Sequence, residues 1–313
     1  MRTIVGLMTV CAVVLVGCAG SYSPSGANAP RESKGTDEAG PILATACAAV
    51  QGNSAAAALY GKACKANDGE GCSKLAGMYL CGSGLEKNPT IGVSLLERGC
   101  TLGADNACSG LAALYLEGSY VKRDPNHAYD IFQRSCDRGS LDACGNLAAA
   151  IMTTAPEFEH PRAAAILDKA CESGHAPSCA NLAVVYGSGK AGREKDFGRA
   201  FSYAKRACEA KNMKACMMAG AMYVNGQGVD QDAKLGTALL STACEAGEPQ
   251  ACLALAQCAA NGVGVVQDPQ RALDLLKKSC DAGSGEACRL LADATMTVHA
   301  PAVYGGGAGP AVF

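Results

Sequence analysis

Nineteen cysteines in 313 residues are the groups with the most chemistry to offer in this chain. Fourteen of them form seven pairs of one spacing, C-x7-C: Cys64/Cys72, Cys100/Cys108, Cys136/Cys144, Cys171/Cys179, Cys208/Cys216, Cys244/Cys252 and Cys280/Cys288. Zinc sites draw on more closely spaced cysteines or on mixed Cys/His clusters. The four histidines, His127, His160, His175 and His299, sit apart without such spacing, so neither a metal nor a cofactor is expected. A disulfide needs Cα atoms about 5.5 Å apart. The last turn of one helix and the first turn of the next provide that distance where they meet across a short turn. The expectation is therefore one disulfide per pair, each closing a nine-residue loop worth about 2.5 kcal/mol on the chain-entropy view. So many thiols also point to an oxidising compartment.

The elements that must hold these pairs follow from their period. Successive first cysteines lie 36, 36, 35, 37, 36 and 36 residues apart, so residues 53–298 read as a seven-fold array. Each unit reads as two helices. In helix A, eight residues before the first cysteine stands Ala or Gly every time, and another small residue directly precedes that cysteine. Large apolar residues stand four and five before it, as in Leu95-Leu96, Ile131-Phe132 and Leu239-Leu240. Apolar positions at this spacing make one helical face, and small residues let neighbouring helices approach closely. Asn88-Pro89, Asp124-Pro125 and Asp268-Pro269 signal helix starts, with Asp196 and Asp232 as caps without Pro. Three residues after the first cysteine comes Gly in five units and Asn67 in the first, residues that tolerate the left-handed end of a helix; Lys211 is the exception. Helix B then starts about four residues before the second cysteine, at Asp68, Ser140, Asn212 or Ser284. It carries Leu-Ala at the third and fourth positions beyond that cysteine in six units and closes in turns such as Gly82-Ser-Gly84, Gly226-Gln-Gly228 and Gly262-Val-Gly264. No strand precedes these glycines, so they read as inter-helix turns and not as a phosphate cradle.

Outside the array the chain changes character. Residues 1–17 hold Arg2, an apolar run from Ile4 to Val16 and the end Leu15-Val16-Gly17-Cys18, which resembles the bacterial lipoprotein signal whose cysteine is lipidated. Ala19 follows, not Asp, so in a cell with two membranes the expected address is the outer one, facing the periplasm. Residues 18–40, rich in Ser, Gly, Pro and charge, read as a tether, 41–52 as an N-terminal capping helix, and 299–313 as a Gly-rich tail. With Cys11 lost in the signal and Cys18 lipidated, Cys47, Cys81 and Cys258 remain. That odd number leaves at least one thiol or an intermolecular bond, and Cys47 with Cys81 is a candidate pair. Lys and Arg number 27 against 29 Asp and Glu, a net charge of −2, which argues against a nucleic-acid partner. Hydrophobic residues at 49% suffice for a core.

Helix A, a short Gly turn, and a helix B carrying C-x2-L-A-x2-Y and then G-x-G-V resemble the Sel1-like repeat, a relative of the tetratricopeptide repeat. The C-x7-C spacing narrows the resemblance to the group typified by the Helicobacter cysteine-rich proteins. The pattern departs at the exit Met152 to Pro161, which lacks G-x-G, and in the helix with Ala219-Gly220 in place of Leu-Ala. Both are candidate kinks. The resemblance implies an all-α, right-handed α-solenoid that binds partners on an extended concave face. It also implies a β-lactam-binding or weak β-lactamase activity. Serine enzymes of that kind need S-x-x-K with S-D-N and K-T-G. Ser119/Lys122 and Ser202/Lys205 match the first element alone, and no catalytic residue is assigned.

One polar regularity remains. Two residues before the first cysteine stands a base in six units: Lys62, Arg98, Arg134, Lys169, Arg206 and Lys278. A cation in the last helical turn complements the macrodipole, with i,i+3 partners such as Arg134/Asp137 and Lys169/Glu172. The same residues could form a ladder gripping an acidic peptide or an anionic glycan. The expected function is a lipid-anchored scaffold for a protein, a peptide or a peptidoglycan-related ligand, touching the membrane only through its anchor.

Overall fold

A computed structural model describes residues 40–50 and 52–298. The leader, Cys18, the tether before Gly40 and the tail His299–Phe313 lie outside the described residues. The described chain is all-α and forms two compact units, residues 40–196 and 197–298.

The first unit opens with α1 (Pro41–Ala49) and continues as four helix pairs: α2 (Ser54–Lys65) with α3 (Gly69–Cys81), α4 (Pro89–Thr101) with α5 (Asp105–Glu117), α6 (Pro125–Asp137) with α7 (Leu141–Thr154), and α8 (His160–Glu172) with α9 (Ala176–Ser188). The second unit holds three pairs: α10 (Phe197–Glu209) with α11 (Met213–Asn225), α12 (Ala233–Glu245) with α13 (Pro249–Asn261), and α14 (Pro269–Asp281) with α15 (Gly285–Val298). Each cysteine pair thus sits in one helical hairpin.

The turn inside the hairpin is the same in all seven. The residue three beyond the first cysteine has positive φ, and the next N–H donates to the carbonyl just before that cysteine, as in Ala104 N to Gly99 O and His175 N to Ala170 O at 3.0 Å. This is the Schellman arrangement, which satisfies carbonyls that the end of helix A would otherwise leave unpaired. Lys211 takes the same conformation with φ of 65°, so the sequence exception is not a structural one. Helix B is then capped by side chains where the sequence supplies them: Asp68 accepts from Glu70 N, Asn212 from Ala215 N at 3.0 Å, and Ser140 from Ala143 N at 3.4 Å. Each such cap is worth about 1 kcal/mol.

Successive hairpins are joined by a second recurrent bond. In five connections, all but the one between α7 and α8, the N–H before helix A donates back to a carbonyl near the end of the previous helix B: Asn88 to Tyr79, Asp124 to Tyr115, Asp196 to Tyr186, Asp232 to Tyr223 and Asp268 to Ala259, at 2.9–3.0 Å. Asn88, Asp124, Asp232 and Asp268 also accept from the N–H three residues on, at 3.0–3.1 Å. Within each unit the core lies between helix B of one hairpin and helix A of the next. It is built from the Leu-Ala positions, where Ala76, Ala112, Leu147 and Leu182 are fully buried. Helix α11, with Ala219-Gly220 instead, runs unbroken from Met213 to Asn225. Gly220 faces Gly236 of α12, and a Cβ on Gly236 would lie 2.6 Å from Gly220 O. Gly220, in the place of the usual Ala, allows a closer approach of two backbones. At the other departure α7 ends in extended backbone at Ala155, a 3-10 turn (Glu157–Glu159) follows, and α8 begins directly.

Candidate functional site

All seven C-x7-C pairs are disulfides: Cys64–Cys72, Cys100–Cys108, Cys136–Cys144, Cys171–Cys179, Cys208–Cys216, Cys244–Cys252 and Cys280–Cys288. The pairing agrees with the spacing, but one expectation attached to it needs correction, that of distance. Cα atoms stand 4.4–4.8 Å apart, at the short end of the disulfide range, because the tight turn draws the two helices together where they meet. Six of the bonds are also sealed from solvent at their second cysteine. Cys72, Cys108, Cys144, Cys179, Cys216 and Cys252 are 0–7% exposed, so they are core residues and not reactive groups. Within the hairpin, the sulfurs of Cys72, Cys108, Cys179, Cys216 and Cys252 lie 3.5–3.8 Å from the carbonyl oxygen of their own partner. From outside, the next hairpin covers Cys72 and Cys108. A Cβ on Gly99 would lie 3.4 Å from Cys72 Cβ, and Arg138 Nη2 lies 3.6 Å from Cys108 Sγ.

An eighth bond, Cys47–Cys81, ties α1 to the end of α3 with Cα atoms 5.3 Å apart. Cys258 is buried in α13, outside these eight bonds. Disulfides at this density persist only in an oxidising environment, which places the chain outside the reducing cytosol. Among the described residues no helix is long and apolar enough to cross a membrane, and no group of three or more His, Cys, Asp or Glu is placed to hold a metal ion.

The six bases Lys62, Arg98, Arg134, Lys169, Arg206 and Lys278 are all exposed, each in the last turn of its helix A. At Arg134 and Arg98 the neighbours differ from an i,i+3 acid. Asp137 accepts from Gln133 Nε2 at 2.8 Å, one turn back along α6, while Arg134 Nε donates to Asp130 O at 3.2 Å. Arg134/Asp137 is therefore not the pair; the amide of Gln133 reaches the carboxylate from the same face. Arg98 instead crosses to the preceding hairpin and donates to Asn67 Oδ1 at 3.1 Å. That turn-to-turn contact was invisible in the sequence, because its partners stand 31 residues apart.

Ser119 and Ser202 fare differently. Ser119 is buried, accepts from Gly40 N at 2.9 Å and donates to Glu117 Oε2 at 3.1 Å, while Lys122 is exposed. Its hydroxyl, with Glu117 Oε2 lying 3.4 Å from Leu43 N, caps the start of α1. A carboxylate there also favours the positive end of the helix dipole. Ser202 and Lys205 are both exposed on α10.

A triad of residue types appears that spacing alone did not reveal. His175 Nδ1 lies 2.7 Å from Ser178 Oγ, and Nε2 lies 2.9 Å from Asp142 Oδ1 of the preceding hairpin. Ser178 is fully buried, so its oxygen has no approach for a substrate. The three side chains act as a clasp between hairpin turns, and Gly145 leaves room for the ring: a Cβ there would lie 3.1 Å from the imidazole. The first unit has a second clasp where Arg193 pairs with Asp168 at 2.5 Å and stands over the Tyr186 ring. Tyr115 packs edge-on against His127 at 4.5 Å between ring centres. Burial, with the nearby charges of Glu97 and Asp124, raises its pKa above the ordinary phenol value.

A repeated hairpin with one internal disulfide, joined by recurrent turn geometry and lacking a shared catalytic constellation among the described residues, defines a helical-repeat protein. Residues 69–103, 105–140, 176–212, 214–248 and 249–284 match the Sel1 repeat, together more than half of the chain. The chain belongs to the Sel1 repeat family, a family of protein-interaction scaffolds. Solved structures with the same fold include c5321, a protective antigen of uropathogenic Escherichia coli strains, at 21% identity and a TM-score of 0.63 over 79% of this chain and 53% of that one. This chain thus spans about half the length of c5321. A Sel1 repeat protein from Oxalobacter formigenes matches at 23% identity and a TM-score of 0.62, over 69% of this chain and 89% of that one. Helicobacter pylori cysteine rich protein B matches at 29% identity and a TM-score of 0.35, over 43% of this chain and 96% of that one. No protein of curated function matches the sequence.

Proposed function

We infer that the chain is an extracytoplasmic scaffold, anchored by lipid at Cys18 to the outer membrane and facing the periplasm. It holds a protein, a peptide or a cell-wall component against its helix-A faces. The observation that carries this reading is the row of bases. Lys62, Arg98, Arg134 and Lys169 occupy one register in four successive hairpins of the first unit, and all are exposed. Each hairpin is internally clamped, so each base is held at a fixed place beside its turn, and little ordering entropy within the hairpin opposes binding. An anionic partner, an acidic peptide or an anionic glycan, is the complementary chemistry.

The immobilised oxidised chain, exposed to envelope extract, should retain a partner. Replacing Lys62, Arg98, Arg134 and Lys169 by Glu together should weaken retention at least about tenfold, and added salt should weaken it in the unmodified protein. Retention indifferent to both would remove the row from the site. Hydrolysis of a chromogenic cephalosporin that persists through chelation and purification to homogeneity would replace the scaffold reading with an enzymatic one. For the anchor, Cys18→Ser should release the protein from the membrane fraction and abolish labelling by fatty acid.

A further inference from the structure

We propose that the array is open at both ends and that copies of this chain associate head to tail, α15 of one copy seating on α2 of the next. In every later helix A, the residues eight and one before the first cysteine are buried; Ala128 and Ser135, or Ala163 and Ala170, are 0–2% exposed. The residue four before is buried likewise in α4, α6, α8, α10 and α12. In α2 these three positions are Ala56, Tyr60 and Ala63, and all are only half-buried. Leu59 beside them is 65% exposed, although its counterpart Ile131 is 2% exposed. Helix α1 does not take the place of the missing helix B, since its ties run to α3 through Cys47–Cys81 and to α5 through Glu117 and Ser119. The flank of α2 keeps the small-large-small pattern that accepts a helix B elsewhere in the chain.

The opposite edge has the matching defect. The second cysteine of the other six hairpins is buried, yet Cys288 is only half-buried. So is Leu291, whose equivalents Leu147, Leu182 and Leu255 are 0–2% exposed. Repeat arrays normally end in caps with a polar outer face, because a bare repeat flank is apolar. Here α2 keeps the interior pattern and α15 keeps the Leu291-Ala292 pair, with exposed Arg289 and Asp293 where the other helices B carry small, apolar or amide residues. The junction that would cover them is the one the chain already makes between α3 and α4, α5 and α6, α11 and α12, and α13 and α14. A second copy supplies that junction with side chains already shaped for it. A heterologous contact of this type does not pair a surface with itself, so it propagates. The basic row plays no part in it.

The test uses the oxidised chain from residue 19 onward and sedimentation velocity over a wide concentration range. The unmodified protein should gain mass with concentration beyond two copies. Tyr60→Glu and Leu291→Glu should each remain monomeric. Mixed together, these variants should form a one-to-one pair and nothing larger, since each retains one working edge. Thermal melts and intact disulfides establish that both variants are folded. A photo-reactive benzoylphenylalanine at position 60, in the unmodified background, should cross-link to residues 285–298 of another copy. An unmodified protein that stays monomeric throughout would overturn the proposal. So would self-association of Leu291→Glu through two α2 flanks, or a position-60 cross-link only to residues 19–39 of the same chain.

Discussion

The turn within each hairpin and the connection between hairpins both end one helix and begin another, yet they tolerate change very differently. The internal turn is stereotyped: a disulfide, a residue at positive φ and the same backbone bond recur seven times. The connection keeps its hydrogen bond to the previous helix B everywhere but between α7 and α8, and it varies its backbone. Gly228 and Gly264 twelve residues beyond the second cysteine are at positive φ, Tyr120 and Ala191 hold positive φ at the same place, and Pro156 is extended. A covalent clamp fixes the geometry inside a unit whatever the surroundings. Between units the geometry depends on how closely two backbones can come, so the residue that fits depends on what stands opposite.

Substitutions can break that contrast. The largest effect is expected at the connection. A Cβ on Gly264 would fall on the Ala233 carbonyl, and φ is +69°, so Gly264→Ala should cost at least about 3 kcal/mol by urea denaturation. Replacing Cys244 and Cys252 together by Ser should cost about 2.5 kcal/mol, the loop-closure term for nine residues, measured against the oxidised parent. At the internal turn, Gly103 is also at positive φ, +87°, but has nothing within 4 Å of its would-be Cβ. Gly103→Ala should therefore cost only about 1 kcal/mol, the conformational penalty without the clash. A loss as large as that of Gly264→Ala would show that the two turns do not differ in this way. The same reasoning reverses at Lys211, where Lys211→Gly should stabilise by about 0.5 kcal/mol, because relief of left-handed strain exceeds the added freedom of the unfolded chain.

The smallest expected effect concerns Tyr115 near the connection between α5 and α6. Its pKa is raised in the folded state, so its contribution to stability is complete below the unfolded value and fades as pH rises through the folded one. Stability measured above pH 10 should therefore fall less steeply in Tyr115→Phe than in the parent, and ultraviolet titration should show one phenol ionising late. An unchanged slope would mean that the neighbouring carboxylates and burial do not perturb this ring.

Much of this protein could be read along the chain because its decisive contacts are local. Cysteines eight residues apart in a helical hairpin meet wherever the hairpin forms, and the period of about 36 residues announces the hairpin. That Cys72 and Cys108 are sealed in the core was not legible, because the residues that cover them belong to the next hairpin. The capping Asn and Asp residues act on N–H groups three positions away, so they too were legible. The basic register could be placed on helix A by counting, but the contacts of its members could not. Asp137 chose Gln133 over Arg134 because the side chains' reach and the helix's curvature decide among neighbours that sequence spacing leaves equivalent.

The amino-acid order alone settled the repeat, the helix pairs and the class of compartment, since hydrophobic period, turn residues and thiol density act through near neighbours. Tertiary structure alone decided that Cys47 joins Cys81 across 34 residues and that Glu117 and Ser119 hold the start of α1. It also decided that His175 bridges Asp142 and Ser178, and that Tyr120, Ala191 and Lys211 bear a conformation glycine would take more easily. These outcomes depend on which surfaces come together when hairpins stack. Burial at that stage outweighs a local preference of about 1–2 kcal/mol per residue.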